Sequence, residues 1–337
     1  MLRGHYYGIA VQLKNGRVLV AGGWTPSTTA AAEIYNPATG KSTATGSMTT
    51  ARVYASAALL ADGRVLVTGG EGTSGADMLS AEIYSPATGK FTATGSMHAG
   101  RSYHSATLLA DGRVLVAGGW SSSSATAAAE TYDPRTGKFT VTGAMKQKRE
   151  NQSATLLANG QVLLAGGDAG EGGTITSTAE LYSPATGKFA STAGPLMTKR
   201  ILPTATRLAD GRVLLTGGDD ATKVGSAEVF DPATGKFTAT GSMAGPRFWH
   251  AATRLTDGRV LVVGGDATDC WMIEGCDSGT LASSEFYDPA TGLFAPAASL
   301  KAARDLHSVF PLAGSGAVVI GGEKDNVAVL TAELFKP

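Results

Sequence analysis

The sequence has 337 residues, 45 of them glycine, with 43% hydrophobic and 17% charged types. Lys+Arg and Asp+Glu both number 28, so the formal net charge is zero. This excludes a chain kept disordered by charge, and it removes the basic excess of a general phosphate binder, so no nucleic acid is expected as partner. No apolar run approaches the roughly 18 residues of a membrane span, so no transmembrane segment is expected. Met1-Leu2-Arg3-Gly4-His5 carries no apolar secretion core, so any signal peptide is expected to be absent or already removed.

Along the chain, one pattern repeats seven times. Asn15-Gly16, Asp62-Gly63, Asp111-Gly112, Asn159-Gly160, Asp210-Gly211 and Asp257-Gly258 are dipeptides that favour a tight hairpin, and Gly314-Ser315-Gly316 departs from them. An apolar strand follows each, such as Arg113–Ala117, and ends in a glycine pair. The pairs begin at Gly22, Gly69, Gly118, Gly166, Gly217, Gly264 and Gly321, spaced 47, 49, 48, 51, 47 and 57 residues apart. After a variable loop comes Ala-Glu-x-Tyr-x-Pro-Ala-Thr-Gly-Lys-Phe, fullest at 81–91. Its glutamates are Glu33, Glu82, Glu130, Glu180, Glu228, Glu285 and Glu333. Gly-Ser-Met or a variant follows, with Leu196 and Leu300 in two copies, and four residues after the Met position comes an Arg: Arg52, Arg101, Arg149, Arg200, Arg247 and Arg304, with His5 in the first copy.

One unit therefore reads as strand A (for example 105–109), hairpin, strand B (113–117), loop, strand C (129–132), turn and strand D (138–140). Four short strands cannot bury both faces alone, whereas seven units packed radially can. The expected fold is all-β: one seven-bladed propeller over 1–337, with repeats near 5–51, 52–100, 101–148, 149–199, 200–246, 247–303 and 304–337. The small residues of strand A suit the narrow centre. The seventh copy stops after strand C, and Met1 aligns with Met48, so the last blade is expected to have three strands, unless it borrows an edge from a neighbour or the natural chain continues.

This pattern, from His5 to Phe335, resembles the kelch-repeat β-propeller, including bacterial kelch proteins and the propeller domain of galactose oxidase. The fold hosts oxidases, epimerases, lyases and pure binding modules, so function rests on the site. Residues present in nearly every copy read as scaffold. The repeating Arg and Glu are expected to form blade-to-blade ion pairs, and the glycine pairs to permit close backbone approach.

Positions that break the repeat carry the site. Two and three residues after each Arg stand Tyr7-Gly8, Tyr54-Ala55, Tyr103-His104, Asn151-Gln152, Leu202-Pro203, Trp249-His250 and Leu306-His307. After each glycine pair stand Trp24, Glu71, Trp120, Asp168, Asp219, Asp266 and Glu323. In the family these loops share one face. Together they describe a polar funnel with aromatic platforms, in which rings stack on sugars or partner side chains and carboxylates accept hydrogen bonds. The expected ligand-binding residues are Trp24, Tyr54, Glu71, Tyr103, His104, Trp120, Trp249, His250, Asp266, His307 and Glu323.

The reading that follows is a non-catalytic module binding a glycan, peptide or protein. The alternative is a carbohydrate-active lyase or epimerase, with His250, His307, Tyr103 and His104 as candidate acids and bases. The resemblance to galactose oxidase implies a further alternative, copper held by Tyr103 and His104, with Tyr54 as a second phenolate. That family takes another His from a C-terminal domain and needs a Cys in the funnel, features this sequence does not match. Its two cysteines, Cys270 and Cys276, flank five residues in the sixth loop. They are read as a disulfide, which implies an extracytoplasmic location: secreted, periplasmic or at the cell surface of a bacterium-like source.

Overall fold

In the computed structural model, residues 1–24, 27–170, 174–220, 224–268 and 279–336 are described. Each repeat folds into one antiparallel sheet in the order A-B-C-D. The A strands are Ile9–Gln12, Ser56–Leu59, Ser105–Leu108, Ser153–Leu156, Thr204–Arg207, Ala251–Arg254 and Ser308–Pro311. The B strands are Val18–Ala21, Val65–Thr68, Val114–Ala117, Val162–Ala165, Val213–Thr216, Val260–Val263 and Ala317–Ile320. Every B residue is buried, which explains the unbroken Val/Leu runs: both faces of this strand meet neighbouring blades. The C strands run from Ala32–Asn36 to Ala332–Phe335, and the D strands from Lys41–Ala44 to Leu293–Ala297. The seventh sheet has three strands, as the sequence predicts. Among the described residues the only helical element is a three-residue 3-10 turn, Ala313–Ser315, at the irregular seventh hairpin.

The core is distributed between blades. Leu60 and Leu66 of blade 2 pack with Val114, Val116 and Tyr132 of blade 3, and the same arrangement recurs around the ring. Val18, Val20 and Tyr35 of blade 1 join Val318 and Ile320 of blade 7, so the ring is closed. Met1 seals this junction. Its methyl sits over Gly321 as Met48 sits over Gly22 and Met97 over Gly69, and its amino group donates to Leu330 O.

The repeating Arg and Glu correct one expectation. They pair within a blade, not between blades. Arg52 Nη2 meets Glu82 Oε1 at 2.8 Å, and both belong to blade 2. Arg101–Glu130 and Arg149–Glu180 at 3.0 Å, Arg200–Glu228 at 2.7 Å and Arg247–Glu285 at 2.8 Å repeat the pair, with Arg304–Glu333 in blade 7. Each clamp fastens the incoming connector: Arg149 Nη1 also donates to Gly166 O and Thr178 O, and Glu180 accepts from the N–H groups of Lys146 and Gln147. The link between blades is the arginine's carbonyl. It accepts from the second glycine of the preceding blade, as in Gly119 N–H to Arg149 O at 2.9 Å and Gly167 N–H to Arg200 O at 2.8 Å. A Cβ on the first glycine would lie 2.5 Å from Arg149 O at Gly118 and 2.4 Å from Arg200 O at Gly166, which is why this position carries glycine.

Blade 1 lacks the clamp. His5 Nδ1 donates to Gly22 O at 2.6 Å, where the other blades use a guanidinium. Glu33 Oε2 accepts from Leu2 N–H, while its buried Oε1 has no hydrogen-bond partner. Cys270 and Cys276 lie outside the described residues.

Candidate functional site

The connectors entering the A strands and the loops after the B strands lie on one face; the Asp-Gly hairpins and Pro-Ala-Thr-Gly turns lie on the other. At the centre of the first face is a cavity of about 390 Å³. Its wall is made by the two connector positions singled out in the sequence, one pair per blade. Tyr54, Tyr103, His104, Trp249, His250 and His307 are brought together there, with Tyr7, Asn151, Gln152, Leu202 and Leu306 as further lining residues.

All seven residues of the innermost tier have left-handed backbone: Tyr7, Tyr54, Tyr103, Asn151, Leu202, Trp249 and Leu306, with φ between 50° and 57°. Only asparagine is at home there; a bulky residue in this conformation costs on the order of 1–3 kcal/mol. The surrounding bonds enforce it. Tyr54 N–H donates to Tyr7 O at 3.0 Å, Tyr103 to Tyr54 at 3.1 Å, Asn151 to Tyr103 at 3.1 Å and Leu202 to Asn151 at 3.0 Å. Leu306 donates to Trp249 O at 3.0 Å. A belt of backbone hydrogen bonds thus runs along the funnel wall and fixes where each side chain starts.

Three tyrosines form a staircase on blades 1–3. Tyr7 meets Tyr54 edge-on with centroids 4.7 Å apart, and Tyr54 stacks on Tyr103 at 4.2 Å and 27°. Trp249 lies in blade 6, across the ring from blades 2 and 3. Burial, with a smaller contribution from Tyr54, pushes the phenols of Tyr7 and Tyr103 far above their ordinary range, so both stay protonated and offer hydrogen-bond donors and ring faces.

The histidines turn away from acid–base work. His104 Nε2 lies 2.8 Å from Thr68 Oγ1, and its ring packs against Gly69 of the blade before and Gly119 of its own. His250 Nε2 lies 3.0 Å from Thr204 Oγ1 and 3.2 Å from Thr216 Oγ1, against Gly217 and Gly265. His307 packs against Gly264 and Gly322 in the same way. Burial, aided by the nearby arginines, holds all three imidazoles down at about 3, so they are neutral wedges between blades. Gln152 fills this place in blade 4 and donates to Ala117 O at 2.9 Å. Among the described contacts, His250 and His307 share no hydrogen bond with a carboxylate.

Trp24, Glu71, Trp120, Asp266 and Glu323 form a second, outer tier and do not line the cavity. Each is bridged, backbone to backbone, to the residue directly after the arginine position: Tyr6–Trp24, Val53–Glu71, Ser102–Trp120, Phe248–Asp266 and Asp305–Glu323, with Glu150–Asp168 and Ile201–Asp219 completing the tier. Sequence reasoning passed over this partner column, although it varies as freely as the three columns it read. It contains Glu150, raised to about 7 by burial and by Asp168, Asp77 and Glu71. It also contains Asp305, raised to about 8 by burial and by Glu323 and Asp266. Ser102 Oγ lies 2.7 Å from Asp77 Oδ1 and 3.2 Å from Glu71 Oε1.

Seven radially packed four-stranded sheets around a funnel define a β-propeller. The Kelch motif family model matches residues 101–146, the span of blade 3. The residues of that repeat recur in the other six blades, so the chain is a seven-bladed propeller with a Kelch motif in blade 3. A solved structure described as a novel fungal alcohol oxidase with catalytic diversity among the AA5 family, in complex with copper, is 21% identical with a TM-score of 0.80. The match covers 99% of this chain and 75% of that one. The structure of YjhT is 14% identical with a TM-score of 0.65, covering 85% of this chain and 95% of that one. These likenesses show the fold. No curated protein matches the chain.

The copper reading can be tested on the donor set. It needs His104 free to ligate, but the His104 ring is enclosed between blades with Nε2 on Thr68. It needs a tyrosinate, but Tyr54 and Tyr103 stack on each other with centroids 4.2 Å apart. This donor set does not fit a copper centre.

Proposed function

We propose that the protein is a non-catalytic binding module that takes a glycan, peptide or protein segment into the central funnel. The observation that carries this reading is the cavity itself. Its wall is an ordered set of aromatic faces on a fixed backbone belt, while the histidines beside it are neutral and sequestered. Pre-set rings lose little entropy on binding, the economical arrangement for recognition. An enzyme reading is favoured by one observation, the two carboxyls raised to about 7 and about 8, Glu150 and Asp305. It would rest on them and not on His250 or His307. We also propose an extracytoplasmic location, which rests on the Cys270–Cys276 pairing read from sequence. Thiol titration of the unfolded protein without reductant should find no free thiol; two would remove this support.

The test is a glycan and peptide array, followed by titration of the hits. Replacing Trp249 or Tyr103 with alanine should weaken binding by about 1–3 kcal/mol. Asp111→Ala, on the hairpin face, should leave it unchanged. The reverse pattern would move the site to the hairpin face.

A further inference from the structure

Asp305 and Glu323 lie directly opposite each other, each backbone N–H donating to the other's carbonyl at 3.0 Å. Such a pair projects both side chains to the same side. The two residues are only 4% and 6% exposed, and Asp305 Oδ1 and Glu323 Oε2 are buried without a hydrogen-bond partner. Five of the other six blades avoid this; blade 4 also sets two carboxylates opposite each other, Glu150 and Asp168, but both are only half-buried. The position after the arginine is apolar in Val53, Ile201 and Phe248, and in blade 3 it is Ser102, a hydroxyl beside the carboxylates of blade 2. Asp168 accepts from Gly170 N–H, and Asp266 from Thr268. Blade 7 combines two buried carboxylates with acceptors unmet.

The groups around the pair deepen the deficit. Asp266 and Asp325 are acidic neighbours, and Tyr6 and Tyr7 feel the charge of Glu323. Arg304, the arginine adjacent in sequence, is committed to Glu333, Gly321 O and Thr331. Lys324 is exposed and lies 3.8 Å from Asp325. A metal ion is a poor fit, since no three ligating side chains are suitably grouped among the described residues. A group with several N–H donors and a positive charge fits both unmet acceptors, and the Tyr6 and Tyr7 rings, 5.4 Å apart, lie beside it.

We propose that Asp305 and Glu323, in the outer tier beside the funnel cavity, form a cation-accepting corner of this face that takes a primary ammonium group, from a lysine side chain or a free polyamine. The proposal rests on the funnel being a binding face. Because Asp305 is held at about 8, the pair keeps a proton near neutrality, and the ammonium displaces it. Binding should therefore tighten as pH rises from about 6 to about 9, a range in which a lysine ammonium remains charged.

The experiment is calorimetric titration of the full chain with trilysine and with spermidine, each beside its acetylated counterpart. Saturable binding of trilysine alone assigns the ammonium to a peptide; binding of spermidine alone assigns it to a small molecule; either supports the proposal. Asp305→Asn combined with Glu323→Gln should weaken binding at least about tenfold. Its melting temperature should be unchanged or higher, since a buried charge is removed. Two results overturn the proposal: no saturable binding of either ammonium probe, or acetylated probes that bind as tightly as their parents with the double variant indifferent. If Tyr103→Ala then still weakens the acetylated probe, the funnel reading stands while the cation inference falls. If neither variant changes any binding, both fall.

Discussion

The clamp and the funnel wall are built on the same connectors, two residues apart, and they behave in opposite ways. At the clamp, six blades carry the same arginine on the same glutamate. At the wall, the residue two positions on is tyrosine, asparagine, leucine or tryptophan, yet its backbone angle hardly changes. The clamp fixes the connector from outside and the hydrogen-bond belt fixes it from inside. Side chains at the wall are therefore free to vary without disturbing the ring. In this molecule the invariant element fixes conformation, and the variable element is left free to differ from blade to blade.

Breaking a clamp should have the largest effect. Arg149→Ala leaves Glu180 buried without its cation and should cost about 3–5 kcal/mol in denaturant unfolding. Trp249→Ala, measured the same way, should cost much less, because the ring is half-exposed at the funnel. Equal losses would erase the distinction between the two regions.

The histidine wedges should govern acid stability. Their folded values, at about 3, lie below the unfolded value near 6.5. Between those limits the unfolded chain binds more protons, so stability present above about pH 6.5 is lost as pH falls toward about 3. His250→Gln copies the Gln152 solution of blade 4. It should cost about 1 kcal/mol or less at pH 7 and flatten part of the acid slope. A steep slope that survives unchanged would mean other groups govern it. Asp305 acts with the opposite sign: its raised value makes stability fall as pH rises through about 4 to about 8, and Asp305→Asn should remove that fall.

A small gain in stability sharpens the comparison from the other side. Blade 1 has Glu33 without an arginine, so His5→Arg should rebuild the missing clamp and raise stability by on the order of 1 kcal/mol. A destabilised variant would show that the blade 1 connector cannot seat a guanidinium.

The glycine pairs, the hairpin dipeptides and the unbroken Val/Leu runs made the propeller legible, because each is a local signature repeated in register. The three-stranded seventh blade followed from Phe335 and Met1 by the same counting. The inner tier was partly legible, since Tyr54, Tyr103 and Trp249 break the repeat. Its geometry was not. Propensity argues against left-handed tyrosine or leucine, and only the closed ring imposes it. The histidines misled for a related reason: an imidazole next to a ligand face reads as acid or base, while the space left by two glycines, visible only in the folded ring, makes it a wedge. The direction of the Arg–Glu pairs was equally hidden, because sequence order places the arginine at the seam between blades without saying which blade it grips.

The most direct test of the funnel as the recognition surface is hydrogen exchange with and without the tightest array ligand. The account predicts added protection in the connectors at 52–55, 101–104 and 247–250, with the hairpins at 60–64 and 109–113 unchanged. Protection confined to the hairpins, with the connectors unaltered, would contradict it.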